Sequence, residues 1–204
     1  MGLHKSNGVI EKTPAASWVI PVVIIVVSTL IMLGGSTASV WLRYDRVWTG
    51  QGEVWRLISG HLTHLGWSHL VLNSAGLLLV WFLVGGAQSI RGWMLVIAVS
   101  MATIDIGFWW LRPELLWYVG MSGFLHGILA AGLVPRLRHM QPETAVLAAL
   151  LVGKIAWEQI GGPLPGSEST SGGPVVVAAH LYGAIGGVLG AFLARIRVRL
   201  RAAI

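Results

Sequence analysis

A serine between glycines, Gly120-Met121-Ser122-Gly123, opens one apolar stretch of this chain, and a histidine, His180, lies near the start of the last. A hydroxyl is a poor nucleophile until a base takes its proton, and neutral imidazole suits that task. The pair points to acyl transfer, which passes through an oxyanion that needs preorganised donors. His69 and Asn73, spaced i, i+4 and so on one face of a helix, offer an imidazole and an amide for that purpose. The glycines around Ser122 leave the backbone N–H groups of a helix start open to a developing anion. Gly123 also removes a side chain that would crowd a substrate. His126, one turn beyond Ser122, is placed to support the pair rather than to act as the base.

The elements that must position these groups are apolar. Hydrophobic residues make up 55% of the 204 and charged residues 11%, against about 25% charged in a soluble domain. The composition is that of a membrane protein. Cysteine is absent, which excludes disulfides, thiolate metal sites and a cysteine nucleophile. The formal charge of +6 does not form one patch. Its basic residues sit in short segments between apolar stretches and in the tail Arg195, Arg197, Arg199 and Arg201, a pattern of membrane topology rather than nucleic-acid binding.

Six apolar segments, near 17–34, 69–86, 92–111, 121–135, 144–160 and 174–194, predict an all-α bundle of six transmembrane helices. The first follows a polar segment with Lys5 and Lys12 and is too long for a signal-peptide core, so it reads as a retained helix. The expected organisation is a cytoplasmic segment 1–16, a helical domain 17–194 with an outer loop 35–68, and a basic cytoplasmic tail 195–204. With both termini in the cytoplasm, that side receives Lys5, Lys12, Arg91, Arg136, Arg138 and the tail arginines. The far side receives only Arg43, Arg46, Arg56 and Arg112. The outer loop carries Trp41, Trp48, Trp55 and Trp67, which suit a membrane interface. Segment 161–174, rich in Gly, Pro and Ser, reads as irregular loop. No internal repeat is evident, which argues against an inverted-repeat transporter.

Depth brings the polar residues together. At 1.5 Å per helical residue, Ser122, His180 and Asn73 lie roughly 20, 22 and 18 Å above the cytoplasmic ends of their helices. In a hydrocarbon core of about 30 Å, all three share one stratum about 10 Å below the outer surface. Gly183 and Gly187 on the His180 helix would let a neighbouring helix approach closely. If that neighbour is the Ser122 helix, through Gly123, Gly127 and Ala131, the hydroxyl and imidazole meet.

These residues resemble the rhomboid family of intramembrane proteases. Glu53-Val54-Trp55-Arg56 is similar to the family's outer-loop Trp-Arg element. His64, His69 and Asn73 resemble its His…His-x-x-x-Asn pattern, with His64 at the start of the second helix. Gly120-x-Ser122-Gly123 resembles its nucleophile motif, and His180 with Gly183 and Gly187 its last-helix motif. The resemblance implies Ser122 as nucleophile and His180 as general base, with no third triad member. It implies His69, Asn73 and the Ser122 backbone as oxyanion hole, and Trp55 and Arg56 as braces of the outer loop. The compact form, Ser122-Gly123-Phe124-Leu125-His126-Gly127 and the cluster His61, His64 and His69 resemble the rhombosortase branch. That branch implies a multi-pass protein of the bacterial inner membrane whose active site opens to the periplasm. It also implies cleavage of C-terminal Gly-Gly sorting tails of exported proteins. Two departures are that His126 stands where an aromatic often packs on the catalytic histidine, and Gln88 where many members carry Glu.

The expected partners are single-span or tail-anchored membrane proteins and membrane lipid, with no nucleic acid, no cofactor and no metal. Alternatives are a general rhomboid protease and a rhomboid-like protein that holds membrane segments without cutting them. Pseudoproteases of this kind typically lack the serine or the histidine, and both are present here. Haem ligation by His64, His69, His126 and His180 would leave the glycines around Ser122 and the Trp55-Arg56 pair unexplained. Asp105 and the i, i+4 pair Lys154 and Glu158 read as structural, since an ion pair is the ordinary way to carry charge in lipid.

Overall fold

The computed structural model describes residues 13–202, with the side chains of 139 and 198–202 left aside. Part of the basic N-terminal segment and of the basic tail therefore lies outside the described residues. Long, mostly apolar runs with few charges give the long helices. They are α1 (Val19–Leu33, after a 3-10 turn at Ala15–Trp18), α5 (Trp67–Val84), α6 (Ile90–Leu111), α8 (Pro142–Gly161) and α10 (Val177–Ala202). Among the described residues, five helical stretches are long and apolar enough to cross a membrane: Ala15–Leu33, Trp67–Ala87, Ile90–Leu111, Pro142–Gly161 and Val177–Arg197. Apolar side chains such as Leu30, Val71, Leu79, Trp110 and Leu150 are exposed along them, as a hydrocarbon solvent permits. The fourth apolar segment, near 121–135, gives a shorter helix than the sequence implies. Its helix, α7 (Ser122–Leu133), has 12 residues and spans only about 18 Å. It packs between α5, α6, α8 and α10 and is nearly all buried, so its start lies inside the bundle.

Glycine sets how closely α7 and α10 approach. A Cβ added at Gly183 would overlap the carbonyl oxygen of Gly123, and one at Gly187 would overlap that of Gly127. The two backbones are in contact along the line that spacing predicted. On the other face of α10, a Cβ at Gly186 would stand 2.7 Å from Ser100 Cα and one at Gly190 2.8 Å from Val96 Cα, so α6 is held as tightly. Gly187→Val is expected to destabilise the protein by about 1–3 kcal/mol or more through overpacking. Gly153→Val on α8, where nothing lies within 4 Å of the added atom, should stay within about 0.5 kcal/mol. Thermal unfolding of both variants in detergent checks the contrast.

Segment 35–68, expected as an outer loop, folds into short ordered elements. It holds α2 (Gly35–Leu42), β1 (Tyr44–Asp45), α3 (Arg46–Gly50) and α4 (Arg56–Ser59). The Asp45 carboxylate caps α3 by accepting from the Val47 and Trp48 N–H groups. Arg56 is buried and works as a clasp: its Nε–H donates to Glu53 at 2.6 Å and its Nη1 to the Val40 and Arg43 carbonyls at 2.8 and 3.0 Å. Trp55 Nε1–H reaches the Trp41 carbonyl at 3.5 Å. β1 pairs antiparallel with β2 (Trp117–Tyr118), just before the serine. Segment 161–174 also departs from the expected loop. It contains α9 (Ser167–Ser171), bounded by Gly166 and Gly172 in left-handed conformation, the stop signal that glycine supplies.

Candidate active site

Four helix ends converge on one place: the starts of α5, α7 and α10 and the end of α8. Ser122 is the first residue of α7, and no side chain caps that helix, so its leading N–H groups stay open. His180 stands one turn into α10 and is buried. Its Nε2 lies 2.9 Å from Ser122 Oγ, within reach for proton transfer.

The turn before Ser122 is set by Gly120, whose φ of +121° disfavours any side chain. The Gly120 N–H donates to the Gly60 carbonyl at 3.1 Å, and its own carbonyl accepts from Tyr118 OH at 2.6 Å. Burial pushes the Tyr118 phenol well above its ordinary pKa, so it remains a donor. The Arg56 clasp, β1, β2 and Gly60 thus form one continuous support for the turn that presents Ser122.

His69 and Asn73 lie against that turn. A Cβ on Gly120 would stand 3.1 Å from His69 Nε2 and 4.0 Å from Asn73 Nδ2; hydrogen there makes room for both donors. The Leu65 N–H donates to His69 Nδ1 at 3.4 Å. A ring nitrogen that accepts carries no proton, so the proton of the neutral ring sits on Nε2, facing the turn. His64 meets His69 edge to face at 5.0 Å and donates from Nδ1 to the Leu62 carbonyl at 3.1 Å. It precedes α5 rather than beginning it, because Gly66 is extended and the helix starts at Trp67. Burial, with the neighbouring His69 ring second, pushes His64 down to about 3, so it stays neutral. His61 is buried and reaches Asp105 Oδ1 at 3.3 Å, which gives Asp105 a structural partner.

His126 stacks on His180, with ring centroids 4.2 Å apart and planes 19° from parallel. Its Nδ1–H donates to the Ser122 carbonyl at 2.7 Å. It lies as a flat ring against His180. The ion pair between Lys154 and Glu158 forms at 2.5 Å. Glu158 does more than the sequence reading allowed: its other oxygen accepts from His180 Nδ1 at 2.7 Å. Spacing along α8 announced the ion pair but held no signal for the contact across to α10.

His126, Glu158 and His180 each offer a ligand atom, all within 4.8 Å of one another. Both Glu158 oxygens and both His180 ring nitrogens already have hydrogen-bond partners, so a metal ion there would compete with the hydrogen-bond network.

A bundle of apolar helices that holds a serine hydroxyl on an imidazole at the start of a short buried helix belongs to a narrow class. A family model described as "Rhomboid domain" matches residues 51–197, and the chain belongs to the rhomboid family. It is similar to Rhomboid protease GlpG of Klebsiella pneumoniae subsp. pneumoniae, 26% identical over 190 residues, covering 91% of this chain and 65% of that protein. Rhomboid protease GlpG of Klebsiella pneumoniae (strain 342) gives the same figures. The chain thus spans just under two thirds of the length of these relatives.

Proposed function

We propose that this chain is an intramembrane serine endopeptidase that cuts membrane-anchored proteins near the outer face of the bilayer. The observation that carries the reading is the 2.9 Å contact between Ser122 Oγ and His180 Nε2 at the uncapped start of α7. Oγ attacks the substrate carbonyl carbon while its proton passes to Nε2. The carbonyl oxygen becomes an oxyanion held by the α7 N–H groups, Asn73 Nδ2–H and His69 Nε2–H. Collapse of the intermediate breaks the C–N bond, and the imidazolium gives its proton to the leaving amine. Water, activated in the same way, then releases the acyl group.

α7 begins inside the bundle, so six crossings are counted with α7 as a partial one. The excess of Lys and Arg on one side supports a reading with both termini in the cytoplasm and the site opening to the opposite face; the rhombosortase resemblance supports a bacterial inner membrane with that face toward the periplasm. At that level the site meets the outer end of a substrate helix, where small residues favour unwinding. The resemblance to rhombosortases narrows the substrates to C-terminal tails with a Gly-Gly motif ahead of a membrane helix.

Co-expression with three reporters tests this: a Gly-Gly tail, the same tail with both glycines changed to Val, and an ordinary rhomboid substrate helix. The Gly-Gly tail is expected to be cut fastest. Equal cleavage of the Val tail would defeat the sorting assignment, and cleavage of the ordinary helix alone would indicate a general rhomboid protease.

A further inference from the structure

α8 supplies neither serine, base nor oxyanion donor, yet its outer end reaches His180. We propose that Glu158 is a positioning residue for His180, making the site a Ser122–His180–Glu158 triad with Lys154 holding the carboxylate in place. This rests on the reading of Ser122 and His180 as nucleophile and base.

The geometry asks for more than a structural ion pair. Lys154 and Glu158, one turn apart on α8, satisfy each other through Nζ and Oε1 alone. The second oxygen, Oε2, is instead directed across the interface to His180 Nδ1 at 2.7 Å, with the Glu158 side chain 2% exposed. An ionised carboxylate can only accept, so this contact puts the proton of neutral His180 on Nδ1. Nε2 is then bare on the side facing Ser122 Oγ, the tautomer a general base needs. When Nε2 takes the serine proton, the new imidazolium lies against a buried negative charge. Charge separation in a water-poor site is otherwise costly. Lys154 Nζ also stands 3.4 Å from Nδ1; it keeps Glu158 ionised and cannot donate to a nitrogen that already carries a proton. His126 closes the arrangement by stacking on the ring face. The imidazole is thereby held at Nδ1, at Nε2 and across its plane.

The test uses the purified full chain in lipid vesicles with a single-span reporter that it cleaves. In Glu158→Gln the side-chain carbonyl can still accept from Lys154, which turns the amide N–H toward Nδ1. That nitrogen must then accept, and the proton moves to Nε2, where it blocks the base. The expected result is a kcat lower by on the order of 1,000-fold or more, with KM within about threefold of wild type. Glu158→Asp, which keeps the carboxylate, should recover at least about tenfold over Glu158→Gln. Nitrogen-15 NMR of histidine-labelled wild type should show neutral His180 protonated at Nδ1, a readout independent of whether any variant folds. A Glu158→Gln kcat within about threefold of wild type, no recovery in Glu158→Asp, or neutral His180 protonated at Nε2 would each overturn the triad. Cleavage by Ser122→Ala at the wild-type rate would overturn the reading of Ser122 and the triad with it. Loss in Ser122→Ala with full activity in Glu158→Gln would overturn the triad alone.

Discussion

Ser122→Ala and His180→Ala are each expected to lower cleavage by on the order of 10⁴- to 10⁶-fold while the protein still folds and inserts. Proton transfer needs both partners of the 2.9 Å contact, so the double variant should be no worse than either single one. Folding should survive because the α7–α10 seam is made by Gly123, Gly127, Gly183 and Gly187 rather than by the reacting side chains. A fluorophosphonate probe, which labels activated serines, gives the direct readout. Wild type is expected to label, and both variants to stay dark. Equal labelling of wild type and His180→Ala would remove His180 as the base.

The second large effect is on the oxyanion. Asn73→Ala is expected to lower kcat by on the order of 100- to 1,000-fold, the usual consequence of losing one such donor. KM should change little, because the amide acts on charge that appears only in the transition state. His69 brings a second donor to the same turn, with its proton assigned to Nε2 by the Leu65 contact. Asn73→Ala with His69→Ala should therefore be slower than either alone. Cleavage of the reporter at the wild-type rate by the double variant would remove the proposed hole.

Much of this protein could be read from the order of its residues. Apolar runs broken by Gly, Pro and charge marked the long helices to within a few residues, because span length is set by bilayer thickness and backbone hydrogen bonding. Counting residues from basic links put Ser122, His180 and Asn73 at one level, since helical rise is constant. Spacing also anticipated the close seam at Gly183 and Gly187, because only hydrogen lets two helix backbones touch.

Other features depend on neighbours distant in sequence. Segment 35–68 folds into short helices held by Arg56 and the β1–β2 pair; helices this short lack local stability and need tertiary support. His64 falls before α5 because Gly66 is extended there, a break that apolar periodicity does not mark.

Glu158 makes the distinction clearest. The sequence by itself determined that it would pair with Lys154, because residues four apart on a helix are neighbours whatever surrounds them. Only the tertiary structure decided that its second oxygen would meet His180. That contact depends on the rotation of α8 about its axis and its distance from α10, which follow from packing across the whole bundle rather than from local spacing.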